Sequence, residues 1–309
     1  MSEPIDEMRK LSMTSASSSS ARSMGWPRNG PPTSETRWGD SSALKLAVLL
    51  HGLSSASQSW CRIATGLVNE GYYVVAPDLL GHGFASTSES YTIQDLSNHV
   101  EQTLSGLQRQ PDLIVGHSLG SLVACALPWR YKERPHARLV LIDPPFELSD
   151  ADVEKIGDSI VDEVTSPSTV QQYLDHNPKW TVKDAVCKVF GASLCLPETV
   201  RSIMKDVGGP WKHTSLLSTQ PPSIEIIVLG ADPALGPVFT PPEAVRLVDS
   251  LPHVKTAVVL GTSHSIHREE PDVVLNVLLT GKVPGDKLIH ASELREDDDQ
   301  ITSLGAGQV

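Results

Sequence analysis

From residue 44 onward, short apolar runs alternate with longer amphipathic stretches. The apolar runs are nearly continuous in Val, Ile, Leu and Ala, which is typical of parallel strands buried on both faces. The stretches between them have the periodicity of helices that connect such strands. The pattern predicts strands at 45–50, 72–76, 113–116, 139–142, 224–229 and 256–260, with the clearest helices at 59–70, 93–107, 119–131, 242–250 and 271–279. The fold class is therefore α/β, with a mostly parallel central sheet flanked by helices.

One interval interrupts this alternation. Residues 147–222 contain helical stretches but no convincing strand, which predicts a helical cap inserted into a core formed by 41–146 and 223–285. In an open parallel sheet the ligand binds beyond the carboxyl ends of the strands, and the cap would roof that crevice. Its apolar content predicts a hydrophobic substrate, although each such side chain is more simply explained by packing of the cap onto the core. The larger members of this set are Trp180, Phe190, Leu194, Met204 and Trp211.

The two ends of the chain have a different composition. Residues 1–40 are rich in Ser and Pro, which predicts a disordered or extended leader, with a first strand at 35–38 as the alternative. Residues 286–309 include an acidic run and are predicted to form a flexible tail.

Composition and charge limit the partners of this chain. The hydrophobic share of 39% and charged share of 20% are ordinary for a globular protein, and no apolar run has the length of a membrane span. The 37 Asp and Glu against 25 Lys and Arg give a net charge of -12, which repels nucleic acid. The first residues lack the apolar core of a secretory signal, so we expect a cytoplasmic location. The oligomeric state is not predicted.

The first candidate for chemistry is Ser118. Residues 116–120 read Gly-His-Ser-Leu-Gly, at the end of an apolar strand and directly before a helical pattern. A serine on so sharp a turn is strained, and its neighbours two residues away must be small for strand and helix to approach. The helix start places the N–H of Leu119 where it can stabilise negative charge. This context predicts a nucleophilic serine with half of its oxyanion hole.

Two further motifs carry a family resemblance. Residues 49–53 read Leu-Leu-His-Gly-Leu after the first strand, and 76–86 read Ala-Pro-Asp-Leu-Leu-Gly-His-Gly-Phe-Ala-Ser after the next. With the serine motif, these runs resemble the α/β-hydrolase superfamily, which implies the α/β-hydrolase fold. The resemblance implies that the N–H of Leu53 is the second oxyanion-hole donor, and that His51 and Asp78 organise loops.

The resemblance also implies a base and an acid. His264 follows the strand 256–260 and matches the base position, although Ser263 stands where the family commonly has glycine, which leaves His267 as an alternative base. A carboxylate must then hold the imidazole in the correct tautomer. Asp232 matches the family's acid and is favoured; Asp143, at the end of the preceding strand, is the alternative acid.

The expected reaction is hydrolysis of a carboxylic ester or lactone of a hydrophobic small molecule through an acyl-enzyme on Ser118. No cofactor and no metal are expected, because the eleven histidines are scattered without a ligand pair at helical spacing. A thioesterase or a carbon–carbon bond hydrolase would use the same residues. A receptor-like binding protein with vestigial turnover is the alternative from another class.

Overall fold

The computed structural model describes residues 33–128, 131, 137–206, 211–251, 253–282 and 288–290. Within these ranges, eight strands form one sheet. They are β1 (Glu35–Trp38), β2 (Lys45–Leu50), β3 (Tyr72–Pro77), β4 (Leu113–His117), β5 (Arg138–Ile142), β6 (Glu225–Ala231), β7 (Val254–Val259) and β8 (Leu288–His290). Their order across the sheet is β1-β3-β2-β4-β5-β6-β7-β8.

The sheet is mostly parallel, which confirms the predicted fold class. Each neighbouring pair from β3 to β7 is parallel, and only the edge strands β1 and β8 run antiparallel to their described partners. The central strands alternate between two hydrophobic cores. On β2, Val48 and Leu50 face one core, whereas Ala47 and Leu49 face the other. Both faces are therefore buried, as the continuous apolar runs predict.

Helices cover the two faces of the sheet. α1 (Cys61–Asn69) and the C-terminal helices α10 (Ile266–Glu269) and α11 (Pro271–Thr280) lie on one face. On the other face lie α2 (Ile93–Ser105), α3 (Leu119–Ala126) and α9 (Pro241–Ser250). α3 ends before the predicted limit at 131 because Pro128 disfavours the helical conformation at Leu127, whose ψ is 141°.

The described part of the interval 147–222 is helical. It comprises α4 (Asp150–Thr165), α5 (Val170–His176), α6 (Val182–Leu194), α7 (Pro197–Asp206) and α8 (Ser215–Ser218), all between β5 and β6. α4 and α7 pack together through a small apolar cluster that includes Val161 and Val200. No helix among the described residues combines the length and the apolarity needed to cross a bilayer.

Both terminal segments contribute a strand among the described residues. Residues 35–38, which were assigned to the leader with a strand as the alternative, pair with β3. Residues 288–290, which were assigned to the tail, pair with β7. Such short edge strands are stabilised mainly by the strand they pair with, so their own sequence signals them weakly. Of these two segments, residues 1–32, 286–287 and 291–309 lie outside the described residues.

Candidate active site

Ser118 lies on a sharp turn between β4 and α3. Its backbone has φ 52° and ψ −124°, a conformation that side-chain-bearing residues rarely adopt. The neighbouring glycines make this turn possible. A Cβ atom on Gly116 would lie 2.5 Å from the carbonyl oxygen of Gly120, and one on Gly120 would overlap the carbonyl oxygen of Leu50. Steric exclusion around the turn therefore holds Ser118 at the carboxyl edge of the sheet.

Backbone amides of two segments lie beside Ser118. Leu119 is the first residue of α3, so its N–H has no acceptor within the helix. The loop after β2 passes close by, since a Cβ atom on Gly52 would lie 3.0 Å from the Cβ of Ser118. Leu53, the next residue of that loop, lines the same cavity as Ser118 and Leu119. The two predicted oxyanion-hole residues thus line the same cavity as the predicted nucleophile.

His264 is paired with Asp143. Its Nδ1 lies 2.6 Å from Oδ2 of Asp143, a fully buried carboxylate whose backbone has φ 44°. Asp143 also accepts hydrogen bonds from the N–H of Val238 at 2.9 Å and the N–H of Ala231 at 3.2 Å. These donors hold the carboxylate in one orientation, and the Nδ1 hydrogen bond holds the imidazole so that Nε2 is left for proton transfer.

The aspartate bonded to His264 is thus Asp143, the alternative acid, and not Asp232, which the sequence favoured. Asp232 accepts the N–H of Ala234 at 2.9 Å and the N–H of Gly261 at 2.6 Å. It therefore caps the turn that begins at Pro233, which is a common use of aspartate before proline. Both aspartates follow neighbouring parallel strands, and only the left-handed backbone at Asp143 directs a carboxylate towards His264.

His267 occupies a different environment from His264. It is only 2% exposed, and its ring lies 4.8 Å from that of Trp60 and 4.5 Å from that of His117. Burial, reinforced by the nearby Arg268 and His264, holds the pKa of His267 well below the usual value, so the ring stays neutral. His264 is the only histidine among the described residues that line the cavity of Ser118.

His117 supports the loop that carries His264. Its Nε2 donates to the carbonyl oxygen of His264 at 2.9 Å, and the two rings are 4.6 Å apart. Burial and the two neighbouring imidazoles hold the pKa of His117 well below the usual value. This contact was not predicted, because residues 117 and 264 come together only in the folded chain.

The other polar residues of the motifs hold loops in place. The Nδ1 of His51 donates to the carbonyl oxygen of Gly52 at 2.8 Å, and its Nε2 accepts the N–H of Leu79 at 3.0 Å. Burial lowers the pKa of His51, which matches this neutral tautomer. The buried Asp78 accepts the N–H of Ser57 at 2.7 Å. These contacts connect the loops after β2 and β3.

A cavity of about 530 Å³ opens over Ser118 and His264. Residues of the cap line part of it, and most of them are apolar: Leu148, Ile156, Ile160, Ile203, Met204 and Trp211. The other large cap residues pack elsewhere, with Trp180 stacked on Tyr173 and Phe190 against Phe84. The sequence could not separate these two groups, because both consist of the same residue types.

Charged side chains are few in this cavity. Among its described lining residues, the charged side chains are those of Glu147, Asp152 and Lys155. No group of three or more His, Cys, Asp or Glu side chains in the described ranges is arranged to hold a metal ion. The described lining is therefore mainly apolar, with Ser118 and His264 among its polar members.

The amino-acid sequence is similar to a known family and to several known proteins. Residues 47–277 match the sequence model of the Alpha/beta hydrolase family. Over 101 residues the chain is 35% identical to the mesoderm-specific transcript protein of Mus musculus, which covers 31% of this chain and 30% of that protein. Over 125 residues it is 30% identical to lipase LipV of Mycobacterium tuberculosis, which covers 40% of this chain and 46% of the lipase. The aligned segments thus span less than half the length of these relatives.

Similar folds occur in solved structures. One is a carboxylesterase from the archaeon Nitrososphaera gargenis, with TM-score 0.61, 18% identity and coverage of 86% of this chain and 96% of that one. Another is the enol-lactonase of Burkholderia xenovorans, with TM-score 0.61, 18% identity and coverage of 81% and 97%. A thioesterase domain from the curacin biosynthetic pathway has TM-score 0.60, 19% identity and coverage of 80% and 94%. At these identities the likeness concerns the fold alone.

Proposed function

Because the chain belongs to the α/β hydrolase family, we propose that it is a serine hydrolase that cleaves a carboxylic ester or lactone of a hydrophobic small molecule. The observation that carries this proposal is the hydrogen bond of 2.6 Å between His264 and a buried carboxylate, in a cavity that also contains the strained Ser118. Ser118 is then the nucleophile, His264 the general base and Asp143 the residue that orients the base.

The reaction proceeds in two halves. The Oγ of Ser118 attacks the substrate carbonyl carbon, while its proton passes to Nε2 of His264. The N–H groups of Leu53 and Leu119 stabilise the negative charge that develops on the carbonyl oxygen. The C–O bond of the ester breaks, and the leaving alkoxide takes the proton from His264. A water molecule then transfers a proton to His264 as its oxygen attacks the acyl carbon. The bond between that carbon and Oγ breaks, His264 returns the proton to Oγ of Ser118, and the acid is released.

Two features support a hydrophobic ester or lactone. The cap wall over Ser118 is mostly apolar, and an apolar chamber of about 530 Å³ has the size of a site for a drug-sized ligand. The chain is also similar to proteins named as a lipase, a carboxylesterase and a lactonase. The proposed reaction needs no cofactor, because serine, imidazole and backbone amides supply the nucleophile, the base and the charge stabilisation.

A thioester is the second candidate, supported by the similarity to a thioesterase domain. The cavity is lined by two carboxylates, Glu147 and Asp152, and by one ammonium group, that of Lys155. This excess of negative charge favours an uncharged substrate over one with a polyanionic carrier such as coenzyme A. Carbon–carbon bond hydrolysis would use the same three residues.

The test combines covalent labelling with turnover. Wild type, Ser118→Ala and the matched control Ser121→Ala are treated with a fluorophosphonate probe and assayed on p-nitrophenyl esters, lactones and acyl thioesters. Ser121 is buried in the first turn of α3, which begins directly after Ser118, and its hydroxyl has no hydrogen-bond partner among the described residues. We expect labelling and hydrolysis in wild type and Ser121→Ala, and a loss on the order of a million-fold in Ser118→Ala. A wild type that binds esters without labelling or turnover would instead indicate a binding protein.

A further inference from the structure

Ser54 connects the loop that carries Leu53 to the cap. Its backbone has φ 53°, although it is not glycine, and its side chain is buried at 1% exposure. Its Oγ donates to Oε2 of Glu163 on α4 at 2.7 Å. Residues in this backbone region persist where the surrounding structure holds them. The residue beside the proposed oxyanion-hole donor is thus held by a side chain of the cap.

Two more cap helices contribute to the same cluster. Lys188 on α6 donates to Oγ of Ser54 at 2.9 Å and to Oε2 of Glu163 at 2.7 Å. Tyr173 on α5 donates its hydroxyl to Oε1 of Glu163 at 2.9 Å. The side chains of Lys188 and Glu163 are only 14% and 23% exposed. Two cap helices, α4 and α6, therefore contact one core serine directly, and α5 joins them through Glu163. We refer to Ser54, Glu163, Tyr173 and Lys188 as the polar cluster.

Charge and packing both hold the polar cluster and the adjacent loop in place. Burial by itself would raise the pKa of Glu163, but Lys188 and the two hydroxyl donors outweigh that effect, so its pKa lies below the usual value and the carboxylate stays ionised. Next to the cluster, α6 packs directly on the loop backbone, since a Cβ atom on Gly191 would lie 2.8 Å from the Cα of Ser55. α6 therefore has no room to shift towards the loop.

We propose that the polar cluster is a positioning device, through which the cap holds the N–H of Leu53 in line with the carbonyl oxygen of the substrate. The inference rests on the proposed function. The cluster makes no contact with the reacting atoms; it acts through Ser54 on the adjacent peptide. The cap then has two roles, because it encloses the substrate and also sets the geometry of transition-state stabilisation.

This role predicts a specific kinetic signature. An oxyanion-hole donor interacts most strongly with the negative charge that exists only in the transition state. Misalignment of Leu53 therefore lowers kcat and leaves KM nearly unchanged. Simple loosening of the cap would instead remove part of the cavity wall, which raises KM.

The experiment compares Ser54→Ala, Glu163→Gln and Tyr173→Phe with a matched control. The control is Glu270→Gln, which breaks another ion pair between cap and core, the 3.0 Å contact with Lys179. Each protein is assayed for kcat and KM on a p-nitrophenyl ester and for inhibition by phenylboronic acid, whose tetrahedral adduct with serine places an oxygen in the oxyanion hole. A double variant, Ser54→Ala with Glu163→Gln, tests whether the cluster acts as a unit.

We expect kcat to fall about 10- to 100-fold in Ser54→Ala and Glu163→Gln, with KM within about twofold and the boronate inhibition constant raised in proportion. The double variant should be no slower than the slower single variant. Tyr173→Phe removes one hydrogen bond without a change in charge and should give a smaller loss of the same kind. Glu270→Gln should resemble wild type.

Several results would overturn the inference. One is a rise in KM at unchanged kcat in Ser54→Ala and Glu163→Gln. Another is that these variants have the same kinetics as the control Glu270→Gln. If Glu163→Gln fails to fold, Ser54→Ala and Tyr173→Phe still decide the question, because neither leaves a buried charge without its partner. A wild type that neither hydrolyses esters nor reacts with the fluorophosphonate overturns the proposed function as well, whereas an active wild type with unaffected variants overturns this inference alone.

Discussion

The Nδ1 of His264 lies 2.6 Å from Oδ2 of Asp143, although the two residues are 121 positions apart in the chain. Asp143 directly follows β5, and its own N–H donates to the carbonyl oxygen of Leu229 on β6 at 2.6 Å. The carboxylate therefore points across the end of β6 towards the loop after β7. This geometry assigns the role of the acid in the proposed mechanism.

The two aspartates should respond differently to the same substitution. Asp143→Asn retains the shape of the side chain but favours the wrong tautomer of His264, so we expect kcat to fall about 10⁴-fold, the size of the effect in serine proteases. Asp232→Asn keeps an acceptor for the N–H of Ala234 and should retain most of the activity. Kinetics on a p-nitrophenyl ester check both. Loss of activity in Asp232→Asn, with Asp143→Asn nearly intact, would reverse the assignment.

The turn at Ser118 should not tolerate a methyl group on Gly120. In Gly120→Ala the new Cβ would overlap the backbone carbonyl oxygens of Leu50 and His51, which cannot rotate away as a side chain can. β2 and α3 would have to separate, so we expect a lower Tm and loss of fluorophosphonate labelling at Ser118. Gly106→Ala at the end of α2 is the control, since its Cβ would lie 3.5 Å from the carbonyl oxygen of Thr103. Wild-type labelling in Gly120→Ala would contradict this account.

Four buried histidines should make the protein less stable in acid. Burial is the largest cause that lowers the pKa of His51, His117 and His267, and it lowers that of His82 to about 3. The unfolded chain protonates these rings below about pH 6.5, whereas the folded chain does not. The stability that these neutral histidines contribute to the folded state is therefore complete above pH 6.5. It is lost as the pH falls towards their pKa values in the folded state.

The expected loss of stability follows from the linkage between protonation and unfolding. Each such histidine lowers the free energy of unfolding by about 1.4 kcal/mol per pH unit while only the unfolded state binds the proton. Urea unfolding at pH 7.5 and pH 5.5 measures the difference. NMR titration should show the imidazoles of His117 and His267 unprotonated in the folded protein at pH 5.5. Protonation of either ring near pH 6.5 would contradict the prediction.

The cap wall should set the length of the acyl group. Ile160 lies on α4 and lines the cavity, so Ile160→Trp should fill part of its volume. We expect kcat/KM for a long-chain p-nitrophenyl ester to fall about tenfold relative to the acetate ester. Val182→Trp is the control, because Val182 is exposed at the start of α6. An unchanged chain-length preference in Ile160→Trp would show that the acyl group does not occupy this part of the cavity.

Most of the core could be predicted from local pattern. β2 has the predicted bounds, and β4 extends the prediction by one residue, because strands buried on both faces must be apolar throughout. The position of Ser118 was also predictable, since the Gly-x-Ser-x-Gly run is a local steric requirement. The strand at 288–290 was missed because three residues carry too little periodicity to indicate a strand.

The sequence by itself therefore determined the α/β architecture and the sharp turn at Ser118, because sterics and periodicity act over a few neighbouring residues. Only the tertiary structure brought Asp143, and not Asp232, against His264, and only it brought Ser54 against Glu163 and Lys188. Such pairings depend on the direction of side chains from elements that are distant in the chain. That direction is set by how the strands, the cap and the loops pack together, and no local pattern records it.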